Sequence, residues 1–192
     1  MPDVYGQGDF DLVGFIVGVV ERGQIIDGST IRAGDVLLGL PSSGLHTNGY
    51  SLARKVFGVG LRSYPGLEGT LGEALLAPHR CYYNELKPVL GRLKGIAHIT
   101  GGGIPGNLPR ILREGLAARL RRGSWPVPPI FRLIQERGKV AEEEMYRTFN
   151  MGLGLIVACA PEDAEAVRAQ LPEALAVGEV IAQKGEPRAV IA

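Results

Sequence analysis

The stretch that decides how this chain is read is Ala97-His98-Ile99-Thr100-Gly101-Gly102-Gly103-Ile104-Pro105-Gly106-Asn107-Leu108-Pro109. Three consecutive glycines, Gly101 to Gly103, follow a short apolar run from Gly95 to Ile99. Leu108, Ile111 and Leu112 come next at helical spacing. The order predicts a strand, a glycine turn and a helix. Glycine carries no Cβ, so the backbone turns sharply there and a ligand can approach closely. A helix start aims unpaired N–H groups and the positive end of its dipole back at the turn, where an anion such as phosphate fits. No Walker-type Gly-Lys-Ser/Thr follows, and Pro105 and Pro109 make the helix start irregular. The glycines by themselves are equally compatible with a tight turn that holds no ligand.

Around this stretch, the 192 residues suffice for one sizeable domain with its own core. Apolar residues make up 45% and charged residues 21%, which describes a globular chain. A net charge of +1 gives no reason to expect a nucleic acid or a membrane surface as partner. Cys81 and Cys159 build neither a disulfide framework nor a metal site, and they suit a reducing, cytoplasmic compartment. The first apolar run, Leu12 to Val20, has no basic region before it and is too short to span a bilayer, so no secretory leader is expected.

Phe10 to Val20 is nearly all apolar and β-branched and reads as a strand buried on both faces, with Gly14 and Gly18 marking a bulge or a close backbone contact. Val36 to Leu40 predicts a second strand. The loop Pro41-Ser42-Ser43-Gly44-Leu45-His46-Thr47-Asn48-Gly49 then leads to a helix over 51–57. Thr47 or Asn48 is placed to cap that helix. Ser42, Ser43 and His46 exceed what a cap needs and suit a sugar or phosphate. No Gly-x-Ser-x-Gly and no acid placed to orient His46 are present, which argues against a hydrolytic triad.

Tyr82 to Leu93 reads as a helix bent at Pro88, with His79 at its start or on the surface. His98 lies in a short apolar strand beside the glycine turn, as a core or a functional histidine. Ala117 to Leu120 predicts a strand, and Ile130 to Arg137 and Glu142 to Tyr146 predict helices. Glu142, Glu143 and Glu144 are adjacent and do not share a helix face, so no metal ligand is assigned. Leu155 to Ala160 reads as a buried strand and Pro161 to Gln170 as a helix. Ala176 to Ala182 and Arg188 to Ile191 are two final strands joined by a turn at Lys184 to Pro187.

Three segments together resemble the phosphoribosylformylglycinamidine cyclo-ligase (AIR synthetase) family of purine synthesis: Ser42 to Leu52, His98 to Gly103, and Glu144-Met145-Tyr146-Arg147-Thr148-Phe149-Asn150-Met151-Gly152. The run Asp11 to Val20 and the turn Ile25 to Ser29 match in the same order. Relatives such as selenophosphate synthetase and thiamine-monophosphate kinase typically carry an aspartate where this chain has His98. The resemblance implies an α+β fold, a mixed β-sheet covered by helices in α/β layers, of the AIR-synthetase C-terminal-domain kind. It implies that residues 9–192 are that single domain and residues 1–8 the remnant of an inter-domain segment. The family's ATP-binding N-terminal domain, with its Asp-Gly-Val-Gly-Thr-Lys-type segment and magnesium-binding aspartates, has no counterpart here.

For the whole enzyme the resemblance implies an ATP- and Mg2+-dependent cyclo-ligase that converts formylglycinamidine ribonucleotide to aminoimidazole ribonucleotide, working as a homodimer. This chain would be the substrate-side wall, inactive alone. His46 and His98 are its candidate catalytic residues. Ser43, Asn48, Thr100, Gly101, Gly102 and Gly103 are its candidate substrate- and phosphate-binding residues. A related ATP-dependent kinase or selenophosphate synthetase domain, or a non-catalytic binding domain, stays open as the alternative.

Overall fold

The computed structural model describes residues 8, 10, 13–58 and 62–192. Six strands form one sheet: β1 (Val36–Pro41), β2 (Leu93–His98), β3 (Leu116–Leu120), β4 (Leu153–Cys159), β5 (Leu175–Ala182) and β6 (Ala189–Ile191). Their order across the sheet is β2-β4-β1-β5-β3-β6. All pairs are antiparallel except β3 with β6, so the sheet is mixed. The helices are α1 (Tyr50–Phe57), α2 (Leu71–Leu75), α3 (Tyr83–Leu86), α4 (Gly103–Asn107), α5 (Pro129–Gly138), α6 (Glu142–Thr148) and α7 (Pro161–Gln170). None of them is long and apolar enough to cross a membrane.

The sheet is covered on both faces around β4, whose seven residues are all buried. Ile156 and Ala158 join a core with Phe131, Ile134, Phe149 and Trp125, supplied by α5 and the segments flanking α6. Leu155, Val157 and Cys159 join a second core with Leu38, Leu40, Val89, Val167 and Leu171, supplied by β1, the turn after α3, and α7. A strand buried on both faces cannot alternate apolar with polar, which is why β4 reads as an unbroken apolar run. Pro161 opens α7, where its missing N–H leaves no hydrogen bond unmade.

Three expectations are corrected. The segment expected as the first buried strand is in no strand over residues 13–20, and Val13, Phe15, Ile16 and Val19 are each more than 90% exposed. Asp11 and Leu12 lie outside the described residues, as do residues 1–7 of the expected inter-domain remnant. A doubly buried strand needs a ladder on each side, and the central places of this sheet are filled by β4, β1 and β5.

The cap reading of Thr47 and Asn48 also fails. The N-cap of α1 is Gly49 at φ 85°, which bonds to no N–H through a side chain, and the Asn48 amide is engaged elsewhere. The helix expected over 82–93 divides into α3 and a 3-10 segment, Lys87–Arg92, around the donor-less Pro88. β5 and β6 are the two expected final strands, and β3 lies between them in the sheet.

Candidate functional site

β1 and β2 both run antiparallel to β4, so they point the same way. Pro41 pairs with Leu153 and His98 with Leu155, which places the carboxyl ends of β1 and β2 beside the start of β4. The loop after β1, the glycine turn after β2 and the segment before β4 therefore meet at one end of the sheet.

Asn150 ties the loops together. It is fully buried. Its Oδ1 accepts from Ser42 Oγ and from the Gly152 N–H, both at 2.9 Å, and its Nδ2 donates to the Gly44 carbonyl at 2.8 Å. Apart from the Ser42 hydroxyl, its partners are backbone groups of the two loops. Met151 and Gly152, which follow, both hold positive φ, at 51° and 97°. Glycine suits that geometry and methionine does not, so the turn is held by its surroundings.

His46 itself sits at φ 62° and is 4% exposed. Its Nε2 accepts from the Ser43 N–H at 3.1 Å, and its Nδ1 is buried without a hydrogen-bond partner. Beneath it lies Gly154. A Cβ there would fall 2.5 Å from His46 Cε1 and 2.0 Å from Tyr82 Oη. Tyr82 Oη in turn donates to the Pro41 carbonyl at 2.8 Å. Ser43 Oγ donates to the Pro78 carbonyl at 2.6 Å, which draws residues 78–80 up to the loop. Asn48 Nδ2 donates to the Thr148 carbonyl at 2.6 Å, while its Oδ1 is buried and unpartnered. Two orphaned buried polar atoms at one end of a sheet mark a place where a ligand or water completes the bonding.

At the glycine turn, Gly102 and Gly103 hold φ of 95° and 58°. The Gly103 N–H donates to the Thr100 carbonyl at 2.9 Å, and a Cβ on Gly103 would lie 1.8 Å from the Tyr146 carbonyl. Gly103 is thus a close-packing residue whose N–H is already used. Asn107 Nδ2 donates to the carbonyls of Thr100, Gly101 and Gly103, and Thr100 Oγ1 donates to Asn107 Oδ1. Gly101 is exposed, and a Cβ on it would meet nothing within 4 Å. The helix behind the turn, α4, has five residues and passes directly into a 3-10 segment, Leu108–Ile111. Pro105 and Pro109 cut it short.

His98 is exposed at the end of β2. Its Nε2 lies 3.1 Å from the Nε2 of His79, and the ring of His79 packs 3.9 Å from that of His46. The structure thus brings together His46 and His98, both singled out in the sequence, and adds His79, Asn150, Tyr82 and Gly154, which were not. Asn150 left a signal, as a lone amide between two apolar segments. His79 left none.

Burial holds His46 far below the ordinary histidine range, at about 4, and the neighbouring His79, His98 and Arg80 add to the effect. Burial, then His79, lowers His98 as well. Both imidazoles are consequently neutral near pH 7, suited to orienting a polar group through a donor and a lone pair and unsuited to giving up a second proton. On the other flank of the loop, a groove of about 510 Å³ runs from Ser42, Ser43 and Gly44 to Glu68 and Pro129.

Residues 32–190 match the family model described as AIR synthase related protein, C-terminal domain. The chain belongs to this family. The AIR synthase related domain here is similar to proteins named phosphoribosylformylglycinamidine cyclo-ligase. One from Desulfitobacterium hafniense is 50% identical over 191 residues, covering 95% of this chain and 56% of that protein. One from Myxococcus xanthus is 52% identical over 202 residues, covering 100% of this chain and 59% of that protein. The chain therefore spans a little over half the length of the curated relatives it matches. Among solved structures, thiamine-monophosphate kinase from Stenotrophomonas maltophilia superposes with a TM-score of 0.57 at 16% identity, over 90% of this chain and 54% of that one. That likeness establishes the shared fold alone.

Proposed function

We propose that this chain is the substrate-side, C-terminal part of a cyclo-ligase that closes the imidazole ring of formylglycinamidine ribonucleotide to give aminoimidazole ribonucleotide, ADP and phosphate. The observation that carries the reading is identity of about half the residues, along the whole chain, to proteins named for that reaction. In the proposal, residues 9–192 are the domain and residues 1–8 the end of an inter-domain segment. The complete enzyme is a cytoplasmic homodimer. The exposed apolar side chains of Val13, Phe15, Ile16 and Val19 support a covering partner, either the other half or a second copy.

ATP, the co-substrate, activates the formyl amide oxygen by phosphorylating it, and the substrate's own amidine nitrogen then displaces phosphate. The part played by this chain is to bind and orient. Neutral His46 and His98 hold the amide region, His46 through its unpartnered Nδ1–H, since its Nε2 lone pair is taken by the Ser43 N–H. Asn48 Oδ1, buried and unpartnered, accepts from the substrate, and Ser43 lies at the mouth of the same loop. Thr100, Gly101 and Gly102 hold the phosphate end, while Gly103 lets the turn pack closely against α6. Mg2+ requires hard oxygen ligands. Among the described residues, the cluster able to hold a metal consists of imidazoles, so Mg2+ does not fit here and no step is assigned to it in this chain.

The test is ATP-dependent formation of aminoimidazole ribonucleotide. The chain mixed with a separately expressed N-terminal half is expected to form product, and the chain alone is not. Turnover by the chain alone, or none in the mixture despite complex formation, would refute the reading. Gly101→Asp is expected to abolish phosphate-ester binding without unfolding the chain, because its Cβ meets open space while its charge repels the anion.

A further inference from the structure

We propose that His46, His79 and His98 form a binding site for a transition-metal cation of the Zn2+ class. One nitrogen from each ring falls within 4.8 Å of the other two. These are all three histidines of the chain, drawn from three separate segments. Zn–N bonds of about 2.0–2.1 Å place tetrahedral ligands roughly 3.3 Å apart. The Nε2 atoms of His79 and His98, 3.1 Å apart, are nearly at that spacing already. Bringing in His46 needs movement on the order of 1 Å, within reach of χ rotation by the two exposed rings, His79 and His98.

The second shell is in place for His79. Its Nδ1 donates to the Arg80 carbonyl at 2.8 Å, which fixes the tautomer and leaves the lone pair on Nε2, facing His98. In the empty site His98 Nε2–H donates to that lone pair. On ligation the His98 proton moves to Nδ1, and a cation takes the place between the two rings. His46 Nδ1 is buried without a hydrogen-bond partner, so no protein group has to be displaced from it. The Ser43 N–H donates to its Nε2, which puts the ring proton on Nδ1. A cation bound at either nitrogen therefore competes with that single hydrogen bond.

Metal binding takes the imidazoles in their unprotonated form, so uptake is read at neutral pH or above. Arg80 acts electrostatically on His46, and its guanidinium is paired with Glu85 and Glu173 at 2.6 and 2.5 Å. Three imidazoles without a carboxylate select Zn2+, Co2+, Ni2+ or Cu2+ over Mg2+ and Ca2+. With three protein ligands, a fourth position stays open to water or an exogenous group.

The inference does not rest on the cyclo-ligase reading, because the test reads the metal and not turnover. The chelator-treated 192-residue chain is titrated with Co2+ in a Cys81→Ser background, which removes the exposed thiol as a competing ligand. Visible d–d absorption that saturates at one Co2+ per chain and is bleached by one equivalent of Zn2+ is expected. His79→Ala and His98→Ala should each weaken Co2+ binding at least about tenfold. Circular dichroism should remain that of the parent, since both side chains are exposed. Absence of saturable uptake, uptake unaffected by either substitution, or uptake seen only with Cys81 present would each overturn the site.

Discussion

Residues 13–20 and β4 are alike in composition and opposite in fate. Both are apolar, both contain glycine, and neither carries a charge. In β4 all seven residues are buried between two helical layers, while Val13, Phe15, Ile16 and Val19 stand more than 90% in solvent. Apolar sequence records that a segment is to be covered; it does not record by what. β4 finds β1 and β2 within the chain. The earlier segment finds no ladder among the described strands, and the relatives extend over almost twice the length aligned here.

The sharpest way to break this contrast is to place one charge in each region. Ile156→Asp buries an unpaired carboxylate in the core and is expected to prevent folding, a loss of more than about 4 kcal/mol, whereas Ile16→Asp should change stability by less than about 0.5 kcal/mol. Urea unfolding followed by circular dichroism checks both. Equal losses would show that residues 13–20 belong to the same core.

The contrast is finer at the end of β4 that stops being core and becomes the floor of the site. Gly154→Ala pushes a methyl group into Tyr82 and His46, with an expected cost of about 1–3 kcal/mol. The same change at Gly18, where a Cβ meets nothing within 4 Å, should be close to neutral. Thermal melts of the two variants compare them directly. Asn150→Ala strips the buried links between loops and should cost about 1–3 kcal/mol, with faster amide exchange over 42–49 and little change within β4.

The smallest expected effect is a slope. His46 stays neutral in the fold down to about pH 4, whereas an unfolded histidine protonates below 6.5. The unfolded chain binds the extra proton between these values, so this contribution is complete above about pH 6.5 and falls away toward pH 4. His46→Gln should flatten the fall, as read from urea midpoints across that range. The exposed segment carries no titratable group, so Ile16→Ala should leave the slope as it is.

Much of the architecture was legible because local pattern and final environment agree. β1, β3, β4, α5, α6 and α7 lie close to where periodicity and Pro161 put them. Where a neighbour decides, the pattern misled. Asn48 reads as a cap from its position before a helix, yet Gly49 takes the left-handed cap and Asn48 reaches Thr148. The pairing of β6 with β3 depends on which edge is free and not on the turn before it. At the site, the resemblance singled out His46, His98 and the glycine turn. The approach of His79 has no local cause, since it depends on Ser43 drawing Pro78 toward the loop. Gly103 was legible as special, and the structure adds a packing reason the sequence did not show: its missing side chain makes room for the Tyr146 carbonyl.

The strand order carries a consequence for how the chain assembles. β1, the earliest of the described strands, lies mid-sheet between the two longest, with Pro41 against Leu153 and Val36 against Glu179. Ribosomes extend a chain at about 5–20 residues per second. β1 therefore stays without either neighbour until β4 and β5 have followed it. Such distant pairing slows folding, because the entropy of closing a long loop is spent before any contact rewards it. Leu37, Leu38 and Leu40, all fully or nearly fully buried at the end, are apolar side chains that stay uncovered on the nascent chain until then.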